Sequence, residues 1–209
     1  MAKHKLERFA EMEHFPNVLQ PLFDEVFQHE HPIKGRWRTD FFKNNHPIVT
    51  EFGCGKGEYT VGLASKFPQK NFLGVDIKGA RIWRGAKTAL EQNINNAGFL
   101  RTRIEFSCSV FAENELDEIW VTFPDPQPKK ANKRLTSAFF LNIYQKYLKP
   151  DGLVHLKTDN SDLYRYTLSV IQHNSLPVIC STNDLYASGF AEETFFIKTY
   201  YEKKFLERD

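Results

Sequence analysis

Cysteine is scarce in this sequence. Cys54, Cys108 and Cys180 are an odd number, far apart, with no CxxC spacing. Such a set builds neither a disulfide framework nor a zinc cluster, so a reducing cytoplasm and no metal are expected. Long apolar runs are missing as well, which excludes a membrane-spanning helix. Residues 1–15 carry charges throughout and no apolar h-region, so no secretory signal peptide is expected. Neither sign of charge dominates: 28 Lys and Arg against 26 Asp and Glu leave a net +2. With a pI of about 8.3, whole-chain charge neither demands nor excludes a nucleic-acid partner. Low complexity is absent too. The 209 residues are 41% hydrophobic and include 19 Phe, enough for one sizeable domain with a real core.

The first 47 residues are polar, with Lys3, Lys5, Arg8, Lys34, Arg36 and Arg38 scattered among prolines. They read as an N-terminal basic arm with one short helix around residues 17–28. The domain proper is read as residues 48–209. Ile48–Phe52 has the pattern of a buried strand, broken by Gly53-Cys54-Gly55-Lys56-Gly57. Residues 58–67 run with helical period and Pro68 closes them. Residues 71–76 form a second strand ending in an acid, and 78–97 a long helix. Strands follow at 103–106, 118–123 and 153–157, with helices at 136–148 and 162–173. The last two strands, 177–181 and 195–205, have no helix between them and predict an antiparallel hairpin. The alternation defines an α/β domain: a mainly parallel seven-stranded sheet flanked by helices.

In an open α/β sheet, ligands bind outside the carboxyl ends of the strands. The glycine loop lies there, and glycine lets the backbone turn sharply and approach a ligand closely. Nineteen residues beyond Gly57 stands Asp76, placed to accept hydrogen bonds from the hydroxyls of an adenosine ribose. A dinucleotide fingerprint needs GxGxxG, whereas the spacing here is GxGxG. An acid at Glu51, two residues before the first glycine, would repel a pyrophosphate and attract a cationic cofactor. The pattern Glu51-x-Gly53-x-Gly55-x-Gly57 resembles motif I of the S-adenosylmethionine-dependent methyltransferases. The plainer alternative is a tight strand-to-helix turn.

A second candidate loop follows the fourth strand: Phe123-Pro124-Asp125-Pro126-Gln127-Pro128, then Lys129, Lys130, Lys133 and Arg134. Three prolines stiffen it and hold Asp125 across from the glycine loop. Basic residues beside such a mouth suit phosphate oxygens, although an isolated basic run is ordinarily a solvated turn. Enzymes that methylate exocyclic amines of nucleic acids place an aromatic after paired prolines to stack on an extruded base. Asp125-Pro126-Gln127-Pro128 lacks it.

Together with Gly74-Val75-Asp76, Lys157-Thr158-Asp159-Asn160 and Thr199-Tyr200-Tyr201-Glu202, these segments resemble, in order, the bacterial tRNA (guanine-N7-)-methyltransferase family. The resemblance covers residues 48–206. It implies a Rossmann-like class I methyltransferase fold and methyl transfer from S-adenosylmethionine to N7 of the variable-loop guanine (position 46) of tRNA. It further implies cofactor contacts at Glu51, Gly53, Gly55, Asp76 and Asp125, with Asp125 also the catalytic residue. A family acid after the third strand falls near Cys108, where the chain reads Phe106-Ser107-Cys108-Ser109; backbone carbonyls or Ser107 are the candidates to replace it. Gln127 stands where many members carry tryptophan. The resemblance implies substrate contacts at Lys129, Asp159, Thr199 and Glu202, and the basic cluster adds Lys130, Lys133 and Arg134 as expected contacts. For Asp159, capping of the next helix is an equal reading. Rival classes are a dinucleotide oxidoreductase, opposed by Glu51 and the glycine spacing, and a tRNA-binding protein on a degenerate fold, opposed by intact Glu51, Asp76 and Asp125.

Overall fold

A computed structural model of the chain describes residues 2–189 and residue 197. Among these, six strands form one sheet: β1 (Val18–Leu19), β2 (Ile48–Phe52), β3 (Asn71–Asp76), β4 (Ala97–Arg101), β5 (Leu116–Thr122) and β6 (Leu148–Lys157). Their order is β1-β4-β3-β2-β5-β6, and every pairing is parallel. Chain order runs outward from β2 through β3 to β4 and from β5 to β6, with β1 added at the far edge, which puts the topological switch point between the carboxyl ends of β2 and β5. All six strands point the same way, so the loops after them share one edge.

Helices α1 (Ala2–Met12), α2 (Phe23–Val26), α3 (Glu58–Lys66), α4 (Gly79–Glu91), α5 (Ala138–Tyr144) and α6 (Ser161–His173) complete the described elements, with short 3₁₀ and π turns. Side chains alternate between the two faces of the sheet, as the pleat requires. Val49, Phe72, Phe99 and Trp120 pack with Tyr59, Ala64, Ile82 and Ala86 of α3 and α4. Ile48, Phe52, Leu73, Leu100 and Val121 pack on the other face with Phe140 and Tyr144 of α5. The central strand β2 is buried at all five positions, so Thr50 and Glu51 lie within the core between apolar neighbours.

Several boundaries differ from the sequence-based reading. The long helix stops at Glu91, because Asn93 takes a left-handed conformation (φ 55°) and ends it. That releases Ala97–Arg101 as the third strand of the domain; residues 104–109, expected to be strand in part, are a 3₁₀ turn. Residues 177–181 form no strand: Pro177 lacks an amide N–H to donate and Ile179 is 81% exposed. The other half of the expected hairpin, 195–205, lies outside the described residues apart from Ile197, so the described sheet has six strands.

The first 47 residues are not a detached arm. Met12, Val26, Trp37 and Phe42 are buried, and β1 pairs with β4. Trp37 is fixed by its indole N–H donating to the Val110 carbonyl at 2.7 Å and by its amide donating to Glu115. Helix α1 is pinned to α4 through Glu11, which accepts from the Trp83 indole (2.7 Å) and from Lys87 (2.6 Å). Within the expected 17–28 helix, only Phe23–Val26 is helical.

Candidate active site

The loop after β2 is built by three glycines in the left-handed region: Gly53 (φ 77°), Gly55 (56°) and Gly57 (69°). They serve different ends. A Cβ on Gly57 would lie 2.4 Å from Phe99 Cε1, so this glycine is required by the packing of α3 on the sheet. A Cβ on Gly55 would meet nothing closer than the Gly53 carbonyl at 4.0 Å. The space at Gly55 is thus a cradle that opens outward, of the kind a bound ligand fills. The amides of Gly53 and Cys54 donate back to the Val75 carbonyl, drawing the loop over the end of β3.

At that end, both oxygens of Asp76 accept from backbone: Oδ2 from the Gly55 amide (3.0 Å) and Oδ1 from the Lys78 amide (2.8 Å). Beside it lies a cleft of about 270 Å³ lined by Leu22, Phe23, Ile77, Arg101, Arg103 and Phe106 among others. Phe23, Phe27 and Phe106 meet ring to ring, with centroids 4.8–5.9 Å apart. An apolar slot next to a strand-end acid suits a planar base attached to a ribose. Sequence reasoning missed this wall, since half of it comes from the N-terminal segment; the signal available was the cluster of Leu22, Phe23 and Val26.

Glu51 is 4% exposed and faces inward. Its carboxylate accepts from the Thr60 amide (2.9 Å), the Thr60 hydroxyl (2.5 Å) and the Thr122 hydroxyl. Burial, opposed in part by these donors, pushes its pKa up to about 7. Cys108 is half-buried against the apolar core in the 3₁₀ turn after β4. Ser107 cannot stand in for the family acid, because its hydroxyl is buried and bonded to Tyr147 Oη at 3.1 Å.

Across the switch point, the proline loop leaves β5 with Phe123 at φ 45° and continues through Gln127 at φ 44°, both strained for side chains of this size. Such strain is held by surrounding bonds and collects at functional sites. Here the Phe123 amide donates to the Lys157 carbonyl (2.8 Å), the Gln127 amide to Asp125 Oδ1 (3.0 Å) and Arg134 Nε to the Pro126 carbonyl (2.9 Å). Asp125 is exposed and presented by this turn. Arg134 also lies over the Tyr166 ring at 4.2 Å, so of the four basic residues it is the one that clamps the loop, while Lys129, Lys130 and Lys133 are exposed.

After β6, the helix cap is Asn160 and not Asp159. Asn160 Oδ1 accepts from the Leu163 amide at 2.8 Å, leaving Asp159 exposed at the strand end. Glu51, Gly53, Gly55, Asp76, Asp125 and Asp159 therefore gather along one edge of the sheet, at or just after the ends of β2, β3, β5 and β6. Thr199 and Glu202 lie outside the described residues. Among the described residues no group of three or more His, Cys, Asp or Glu is placed to hold a metal ion, and no helix is long and apolar enough to cross a membrane.

A parallel sheet with this strand order, a glycine cradle at the switch point and an acid closing the next strand define a class I methyltransferase fold. Comparison with known proteins agrees. Residues 45–209 match the family described as "Putative methyltransferase". The chain is 51% identical over 208 residues to the tRNA (guanine-N(7)-)-methyltransferase of Bacteroides thetaiotaomicron, covering all of this chain and 82% of that protein. It is 55% identical over 200 residues to the enzyme of the same name from Porphyromonas gingivalis, covering 94% and 82%. A third, from Christiangramia forsetii, is 50% identical over 209 residues, covering 99% and 93%. Among solved structures, one described as an antibiotic related methyltransferase superposes with a TM-score of 0.50 at 19% identity, over 66% of this chain and 69% of that one, which is a likeness of fold. The chain belongs to the tRNA (guanine-N7-)-methyltransferase family.

Proposed function

We propose that this chain transfers a methyl group from S-adenosylmethionine to N7 of the variable-loop guanine of tRNA. The observation that carries the reading is the meeting, on one sheet edge, of an outward glycine cradle, a strand-end acid and a strained loop presenting Asp125. It stands in a chain about half identical along its length to curated enzymes of that name. S-adenosylmethionine supplies, when bound, a methyl group on a positively charged sulfur. Gly53, Gly55 and Asp76 are the residues to hold it, with Ile77 and Phe106 flanking the base.

Guanine N7 carries an in-plane lone pair and no proton at neutral pH, so the site needs no general base. The work left to the protein is positioning, with the reacting atoms about 3 Å apart and in line. Asp125 accepts hydrogen bonds from the guanine N1–H and amino group and stabilises the positive charge that develops on the purine. Lys129, Lys130 and Lys133 bind backbone phosphates; Asp159, at the end of β6, supports the base, and Thr199 and Glu202 are further candidates for contact with it.

The test is single-turnover methyl transfer to unmodified tRNA by the wild type and by Asp125→Asn. Loss of the charge should slow transfer by about 10²–10³ with tRNA affinity little changed. Transfer at the wild-type rate would remove Asp125 from the active site. Binding of tRNA without any transfer by the wild type would make the chain a binder and not an enzyme.

A further inference from the structure

Glu51 is the carboxylate with the heaviest internal use in the site, and its partners are not the ones its motif suggests. Thr60 is the third residue of α3, immediately beyond the glycine loop; Thr122 is the last residue of β5, immediately before the proline loop. They are 1% and 5% exposed, and both hydroxyls end on Glu51, on different oxygens: Thr60 on Oε2 and Thr122 on Oε1. One carboxylate thus spans the switch point and joins the two loops between which methyl donor and acceptor must meet. Room for this is reserved by Gly74 on β3, where a Cβ would fall 2.9 Å from Thr60 Oγ1 and 3.0 Å from Cys54 Sγ. All four positions lie on the α3 face of the sheet.

We propose that Thr122 is a positioning residue for methyl transfer: through Glu51 it fixes the Asp125 loop relative to the glycine loop. Its hydroxyl touches neither substrate nor cofactor in this account; it acts by holding the strained turn at Phe123 in register. While Glu51 is ionised, the Thr122 donor makes a charge-assisted hydrogen bond of the stronger class, and its loss leaves the carboxylate short of a partner. The turn that follows then has one restraint fewer against relaxing its positive φ.

The inference rests on the methyltransferase reading for its catalytic consequence, but its structural half is measured separately. Thr122→Val removes the donor and keeps the shape, and Thr122→Ser restores the donor. In the Val variant, hydrogen exchange at the Phe123 and Gln127 amides should quicken, and the single-turnover rate should fall about tenfold or more with tRNA affinity unchanged. The Ser variant should return both towards wild type. The acid limb of the rate profile should also move to higher pH in the Val variant. The Thr122 bond favours the ionised carboxylate, while burial and the charge of Asp76 oppose it, with the Cys54 thiol alongside. Unchanged exchange in Thr122→Val, or a Ser variant as slow as Val, would overturn the proposal. Quickened exchange in Thr122→Val together with a wild type that transfers no methyl would leave the brace standing and sink the proposed function instead.

Discussion

Gly55→Ala and Gly57→Ala make one chemical change two residues apart, and the structure assigns them opposite phenotypes. Both backbones are left-handed, so an alanine costs about 1–2 kcal/mol at either site before any contact is considered. At Gly55 nothing is added, because the new methyl meets no atom of the protein closer than 4.0 Å. At Gly57 the methyl lands 2.4 Å from Phe99 Cε1 and 2.8 Å from Cζ, with Gly85 Cα at 3.3 Å beside it. Phe99 is fully buried in β4 and has nowhere to swing, so overpacking adds a further ~1–3 kcal/mol. Urea denaturation should therefore show Gly57→Ala losing roughly 2–5 kcal/mol and Gly55→Ala only about 1–2. Calorimetry with S-adenosylmethionine should reverse the emphasis. Gly55→Ala stays folded yet binds at least about tenfold more weakly, because its methyl occupies the cradle. Equal stabilities would refute the packing argument, and wild-type affinity in Gly55→Ala would show that the cradle does not face the cofactor.

Asp76→Ala should weaken S-adenosylmethionine binding by about 1.5–3 kcal/mol, read by the same calorimetry, since it removes the strand-end charge and frees the Gly55 amide that the carboxylate holds; unchanged affinity in a folded variant would displace the cofactor from this strand end. Replacing Lys129, Lys130 and Lys133 together by Ala should flatten the slope of log K against log salt for tRNA by about 2–3, whereas Arg134→Ala should lower turnover with a smaller change in slope, because Arg134 holds the Pro126 carbonyl. Asn160→Ala should cost about 1 kcal/mol of stability in thermal or urea unfolding by uncapping α6, and Asp159→Ala should leave stability alone while reducing methyl transfer. The reverse pattern at this pair would return Asp159 to a capping role.

Elements whose sequences carry a single dominant signal are legible in the sequence. Ile48–Phe52 and residues 71–76 are buried on both faces and read as apolar runs; Glu58–Lys66 is stopped by Pro68. The third strand was not legible, because Ala97-Gly98-Phe99-Leu100 continues the helical period of α4 and only the left-handed turn at Asn93 separates them. The N-terminal segment misled for a related reason: its buried residues Met12, Val26, Trp37 and Phe42 are spaced too widely for any one period, and their burial depends on packing against the sheet that follows. Of the site, the strand-end residues followed from motif and spacing. What spacing could not reveal is the direction in which a side chain faces. Glu51 turns into the protein, Arg134 ties down its own loop, Ser107 is occupied by Tyr147, and capping falls to Asn160.

The most direct measurement is nucleoside analysis of unmodified tRNA after incubation with the protein and labelled S-adenosylmethionine. N7-methylguanosine is the expected labelled nucleoside, arising from the variable loop and lost when that guanine is replaced by adenine. Label on an exocyclic amine, on another base or at another site in the tRNA would contradict it, as would a folded, cofactor-binding protein that leaves the tRNA unlabelled.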